Sequence, residues 1–210
     1  DGATTGSLHC GRCIVNVRRA LFRMLLGRRL PRSSGTVQTP GISHPVTIGR
    51  DRYGIPYIEA RSDEDLWYGV GFCQGQDRAF QIESLTRVAR GTLSELVGVS
   101  GLPVDRLSRQ VGFSRGTVEQ LDVISPYIRQ VLDGFARGVT DGMTLGTRRQ
   151  AHEFVLLRGG PTPYTAADVL AVGRLQAFVL ASNWDIELAR YNILQMDGPQ
   201  ALADLDPTYP

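Results

Sequence analysis

A change of period inside one fifty-residue stretch constrains this chain more than its composition does. From Val46 the residues alternate through Thr47 and Ile48, Arg50-Asp51-Arg52-Tyr53-Gly54 supplies a charged turn with its Gly, and Ile55 to Ala60 returns as a second extended run. Pro56 has no N–H to give a ladder, which places it at a sheet edge or at the start of its strand. The period then becomes helical. Ser62 is a cap, Asp63, Glu64 and Asp65 put negative charge where the helix dipole favours it, and Leu66, Val70, Phe80, Leu85, Val88 and Ala89 keep helical spacing up to Gly91. A hairpin feeding a long helix makes the chain α+β.

The remainder reads as helices joined by turns. Residues 1–11 are rich in Gly, Thr and Ser, and 14–30 read as a short basic amphipathic helix, with Val17, Leu21 and Leu25 on one stripe and Arg18, Arg19, Arg23 and Arg28 on the other surfaces. Packing on the protein or its partner chain, lying on an anionic membrane and a remnant of an export signal are the three readings of that helix. Its apolar run is too short and too interrupted to span a bilayer, and it lacks a clean apolar core with a small-residue cleavage site. Residues 1–35 are therefore taken as a leader and 36–210 as the folded unit, with Pro31 to Pro45 as linker and Thr36-Val37-Gln38 as a short strand. Val99 to Gln110 reads as a Gly- and Pro-broken connection. Phe113 to Gly138 carries a helical period that Pro126 restarts. Gly138 to Gly160 reads as turn-rich, its Phe154–Leu157 run compatible with a strand or a buried helical turn. Thr165 and Asp168 form a box-like start to a helix running to Asn183.

At 210 residues, with 42% hydrophobic and 21% charged residues, the chain has room for one or two domains with a sizeable core. The net charge of +2 hides an asymmetry: residues 1–50 hold eight Arg against the single acid Asp1. No Lys occurs, which coding bias explains better than phosphate recognition. Three Cys cannot form a disulfide framework. Cys10 and Cys13 make a C-x-x-C beside His9, but no second ligand pair accompanies it, and Cys73 reads as a small buried residue. There is no G-x-S-x-G, no H-E-x-x-H and no phosphate-cradling Gly loop.

The ordered run Arg50-Asp51, Tyr53-Gly54-Ile55-Pro56, Asp65-Leu66, Gln76-Asp77-Arg78, Gln81-Ile82-Glu83 and Gly91-Thr92-Leu93-Ser94-Glu95-Leu96 resembles the N-terminal part of the penicillin acylase family. Leu180 to Arg190, with Ile193-Leu194, Gly198 and Leu205 to Pro210, resembles the closing segment of that family's α chain. The resemblance implies an N-terminal nucleophile hydrolase made as a self-cleaving precursor. Its mostly helical α chain, with an N-terminal β-hairpin, forms part of an αββα sandwich completed by a β chain from the same precursor. The nucleophile is then the N-terminal Ser of the β chain, so no catalytic residue is expected here.

By the same resemblance Glu187 is one ligand of a structural Ca2+ shared with the β chain. Ala177, Leu180 and Ala181, with Phe178 and Trp184 close by, line the acyl pocket of a small-molecule acyl amide. Where phenylacetyl-selective members carry bulkier and charged residues, this chain has Ala177, Leu180 and Ala181, which implies a longer or wider acyl group, acyl-homoserine lactones included. The family resemblance implies a periplasmic or extracytoplasmic site, with a cytoplasmic or membrane-associated one as alternative. No nucleic acid is expected. The rival reading is a non-enzymatic helical interaction protein whose Arg-rich arm binds nucleic acid or an anionic membrane.

Overall fold

The computed structural model describes residues 29–205 except Ser182, together with Leu21, Met24 and Gly27. The proposed C-x-x-C, most of the basic N-terminal helix and the last five residues lie outside that set. The described residues are mostly helical, with one small antiparallel hairpin.

Strands Thr47–Arg50 (β1) and Pro56–Glu59 (β2) pair as an antiparallel hairpin, with Ile48 opposite Ile58 and Arg50 opposite Pro56. Pro56 is the first residue of β2, where a missing N–H costs the ladder least. The helix Asp63–Arg90 (α1) follows directly. Ser62 caps it, accepting from the Asp65 amide, three acids sit in its first turn, and it stops at Gly91, which adopts the left-handed conformation at φ 69°. A kink at Arg78 bends it. After a short helix Ser94–Val97 (α2) and a 3-10 turn come Leu102–Val111 (α3), Thr117–Val123 (α4), Pro126–Leu145 (α5), His152–Leu156 (α6), Ala166–Ala181 (α7), Trp184–Met196 (α8) and Gly198–Leu205 (α9).

Three expectations change. Val99 to Gln110 is helical, because Pro103 falls in the first turn of α3, where its lost N–H has no intrahelical partner to lose. Thr36-Val37-Gln38 forms no strand. The turn-rich reading from Gly138 fails because α5 runs on to Leu145, straight through Gly138 and Gly142. Those glycines serve contact rather than turning. A Cβ on Gly138 or Gly142 would lie closer than 3.0 Å to the Tyr68 or Phe72 carbonyl oxygen, and one on Gly71 or Gly75 equally close to that of Phe135 or Val139. The α1 and α5 backbones therefore touch, and this seam is the spine of the molecule.

Around it, Ala79, Val139, Met143 and Phe154 form one apolar cluster, with Phe80 edge-on to Phe154 at 5.5 Å. Ala89, Phe113, Ala171 and Leu175 form a second, which brings α7 against the end of α1. Phe154 is thus settled as a buried helical residue. The hairpin lies across α1 with Ile58 and Val46 over Gly69. Helices α8 and α9 pack on each other and bury no residue.

Candidate functional site

The motif residues of the central stretch turn out to be ties. Asp65, 1% exposed, accepts from the Ser43 and His44 amides, from the Ser62 hydroxyl at 2.8 Å, and lies 3.1 Å from His44 Nδ1. Burial would raise its carboxyl, but these hydrogen bonds outweigh it and hold the group below the usual carboxylate value. It pins the linker to α1. Arg50 forks onto both Asp77 carboxylate oxygens at 2.8 and 3.0 Å and onto Gln76 Oε1 at 2.7 Å. Gln76 donates in turn to the Arg32 and Gly146 carbonyls. One Gln-Asp pair thereby joins the hairpin, the linker and the end of α5 to α1.

Glu83, also 1% exposed, holds Arg87 and both the amide and hydroxyl of Thr162. Asp168 accepts from Arg90 Nε and Nη2, each at 2.7 Å, and from the Thr165 amide and hydroxyl. Asp105 caps α2 through the Leu93 and Ser94 amides. Burial opposes the charge on Asp105 and Asp168, and the hydrogen bonds overcome it, so both carboxyls titrate low. Tyr68 donates to Asp141 at 2.5 Å and its hydroxyl is pushed well above the ordinary tyrosine range, chiefly by burial. Among the described residues no buried side-chain nitrogen or oxygen lacks a partner. Carboxylates whose oxygens are all engaged by the fold, as those of Asp65, Glu83 and Asp168 are, serve to hold its shape. Sequence reasoning found Asp65, Asp77 and Glu83 through their motifs. It missed Asp105 and Asp141, whose partners come from other segments and leave no local pattern.

The predicted pocket residues gather at one place, the elbow where α7 ends at Ala181 and α8 begins at Trp184. Phe178 is half-buried and meets Phe113 edge-on at 5.4 Å. Ala177 and Ala181 are exposed, Leu180 is 80% and Trp184 54% exposed, and Glu187 stands exposed in the first turn of α8 with its amide bonded to the Asn183 carbonyl. Phe178 apart, the described elbow residues are exposed and mostly apolar, with the Glu187 carboxylate in the first turn of α8. Three clefts of about 380, 390 and 260 Å³ lie elsewhere: beneath the hairpin and linker, beside the start of α1, and between α1, α5 and α7. None is lined by an elbow residue. Among the described residues no three His, Cys, Asp or Glu gather as a metal cluster.

Similarity to known proteins extends over both regions. The family model described as penicillin amidase matches residues 45–209. The chain is 33% identical to acyl-homoserine lactone acylase QuiP of Pseudomonas aeruginosa over 183 residues, covering 86% of this chain and 21% of that protein. It is 31% identical to penicillin acylase 2 proenzyme of a Pseudomonas species over 162 residues, covering 77% of this chain and 21% of the relative. The chain thus spans about a fifth of the length of these curated relatives. A solved structure, a thermostable penicillin G acylase from Alcaligenes faecalis, superposes with a TM-score of 0.63 at 27% identity, covering 79% of this chain and 95% of that one.

Proposed function

The chain belongs to the penicillin amidase family, and we propose from that premise that it is the α part of an amidohydrolase cleaving N-acylated small molecules. The second polypeptide of the same precursor carries the nucleophile, an N-terminal Ser whose own α-amino group, near pKa about 8 when unperturbed, is the general base. Ser attacks the amide carbonyl, the amine leaves protonated, and water releases the acyl group from the ester. Donors of the oxyanion hole also lie on that polypeptide. This chain supplies the helices and hairpin that flank the αββα core, and one wall of the acyl pocket.

The single observation carrying this reading is the elbow. Ala177, Leu180, Ala181 and Trp184 come together on an exposed surface, and helices α8 and α9 bury nothing within this chain. Such a face suits a second polypeptide, and most of the length of the relatives lies beyond the matched region. Small apolar walls at Ala177 and Ala181 favour long acyl chains over phenylacetyl, in keeping with relatives named as acyl-homoserine lactone acylases. A non-enzymatic binder with an Arg-rich arm leaves the match over 45–209 without a reason.

Calcium fits less well. The ion takes six to eight oxygens, and the described residues offer the Glu187 carboxylate without a cluster around it. These residues make no calcium site by themselves, so Glu187 is one donor at most and the others belong to the second polypeptide.

The test is expression of the precursor, intact mass and N-terminal sequencing of the product, then hydrolysis of an acyl series. Two chains, the longer starting with Ser, and faster turnover of long acyl amides than of phenylacetyl ones are expected. An unprocessed product with no amidase activity sinks the proposal; a sharp phenylacetyl preference sinks the pocket assignment alone.

A further inference from the structure

Gly27 and residues 29–32 lie along 146–150 at the end of α5, held by contacts to the backbone. Pro31 bridges Thr147, the Arg32 amide donates to the Gly146 carbonyl at 2.9 Å, and Arg29 Nη1 donates to the Gln150 carbonyl at 2.7 Å. Arg149 lies over the Gly27 backbone, so close that a side chain there would strike its guanidinium. Residues far apart in sequence, Arg29 to Arg32 on one side and Gly146 to Gln150 on the other, thus become one surface that carries four Arg and no acid among these described residues. Arg32, Arg148 and Arg149 are exposed. The buried Gln76 amide fixes the knot from beneath by donating to both the Arg32 and Gly146 carbonyls. The patch is therefore held by the body, on the side of the motif residues.

Apolar side chains stand in the same region without cover. Leu30 is 62% and Met24 87% exposed, and Leu21 is exposed with them. Arginines beside bare aliphatic groups make the chemistry of a bilayer interface, where guanidinium groups meet lipid phosphates and the aliphatic groups enter the acyl boundary. A purely polyanionic partner such as nucleic acid gains nothing from Met24 and Leu30. The geometry points to a docking surface for an anionic lipid bilayer, built jointly from residues at the start of the linker, Arg29 to Arg32, and from Arg148 and Arg149 after α5. Sequence reading of residues 14–30 raised membrane contact for that segment alone; the second, internal pair of arginines comes from the fold.

The surface is independent of the amidase reading, so its test needs no substrate. The full protein is sedimented with vesicles of phosphatidylcholine containing phosphatidylglycerol, and with phosphatidylcholine alone. Binding to the anionic vesicles that fades with added salt is expected. Each basic residue near such a surface contributes about fivefold, so the double variant R148A/R149A should bind about thirtyfold more weakly. R148K/R149K, which keeps the charge, should bind like the parent and guards against a folding defect. Equal binding to both vesicle types, or unchanged binding by R148A/R149A, overturns the proposal. So does equal competition by a DNA duplex at the same phosphate concentration, which would mark a general polyanion surface. Loss of the second polypeptide from the purified R148A/R149A protein would also overturn it, by assigning the patch to the interface between chains.

Discussion

The body built on α1 and α5 and the C-terminal arm of α8 and α9 obey different rules. In the body, backbone meets backbone at the glycine seam, and carboxylates such as Asp65, Glu83 and Asp168 are buried with every oxygen engaged. In the arm, Trp184, Ile186, Leu188, Tyr191 and Met196 face outward and nothing is buried. The body's charged motifs look like chemistry and are architecture. The arm's plain apolar residues look like core and are, in our reading, interface. A polar residue in a family motif is thus a poor guide to catalysis until its hydrogen bonds have been followed.

The sharpest way to break this contrast is at the seam. Gly138→Leu should cost about 3 kcal/mol or more and leave little soluble protein, since neither backbone can retreat; denaturant titration would read it, and a near-parental midpoint would dissolve the distinction. Next, Asp168→Asn removes half of a pair with Arg90 that is only partly open to water and should destabilise by about 2 kcal/mol. The pH dependence follows from the same group. Asp65, Asp105 and Asp168 titrate lower when folded than unfolded, so their stabilisation is complete above the unfolded value near about 4 and drains away as pH falls through the lower folded values. An acid melt should show that loss in the parent and a shallower one in Asp168→Asn.

The arm should answer in reverse. Trp184→Ala should leave the folding of this chain unchanged within about 0.5 kcal/mol, yet weaken association with the second polypeptide by about 2 kcal/mol, as expected of a central aromatic anchor. Analytical ultracentrifugation against a melt of the separated chain distinguishes the two. The smallest effect belongs to Glu187→Gln. It should not move the melt of this chain, and should reduce only the rise in melting temperature that added Ca2+ gives the two-chain protein. If no such rise exists in the parent, Glu187 has no calcium role.

What could be read from residues was mostly what local rules govern. Ser62, Gly91, Pro126 and the hairpin turn declare themselves because each acts on its own few neighbours. The helical nature of 138–145 stayed hidden because Gly138 and Gly142 have poor helix propensity and their compensation lies across the seam, on α1. For the candidate site, family likeness located the elbow, and only the fold could show that Leu180 and Trp184 stand open rather than inside a core. The Arg148–Arg149 patch had no local sign at all, since its other half sits at the start of the linker, more than a hundred residues earlier.

The glycine seam also bears on how the chain reaches its structure. A glycine inside a helix weakens it by about 1 kcal/mol relative to alanine, so α1 and α5 are each handicapped as solitary helices. Both become firm only on meeting, and the loop between them must close first. Assembly of this chain should accordingly be late, cooperative and governed by an encounter between distant segments rather than by helices ripening one at a time.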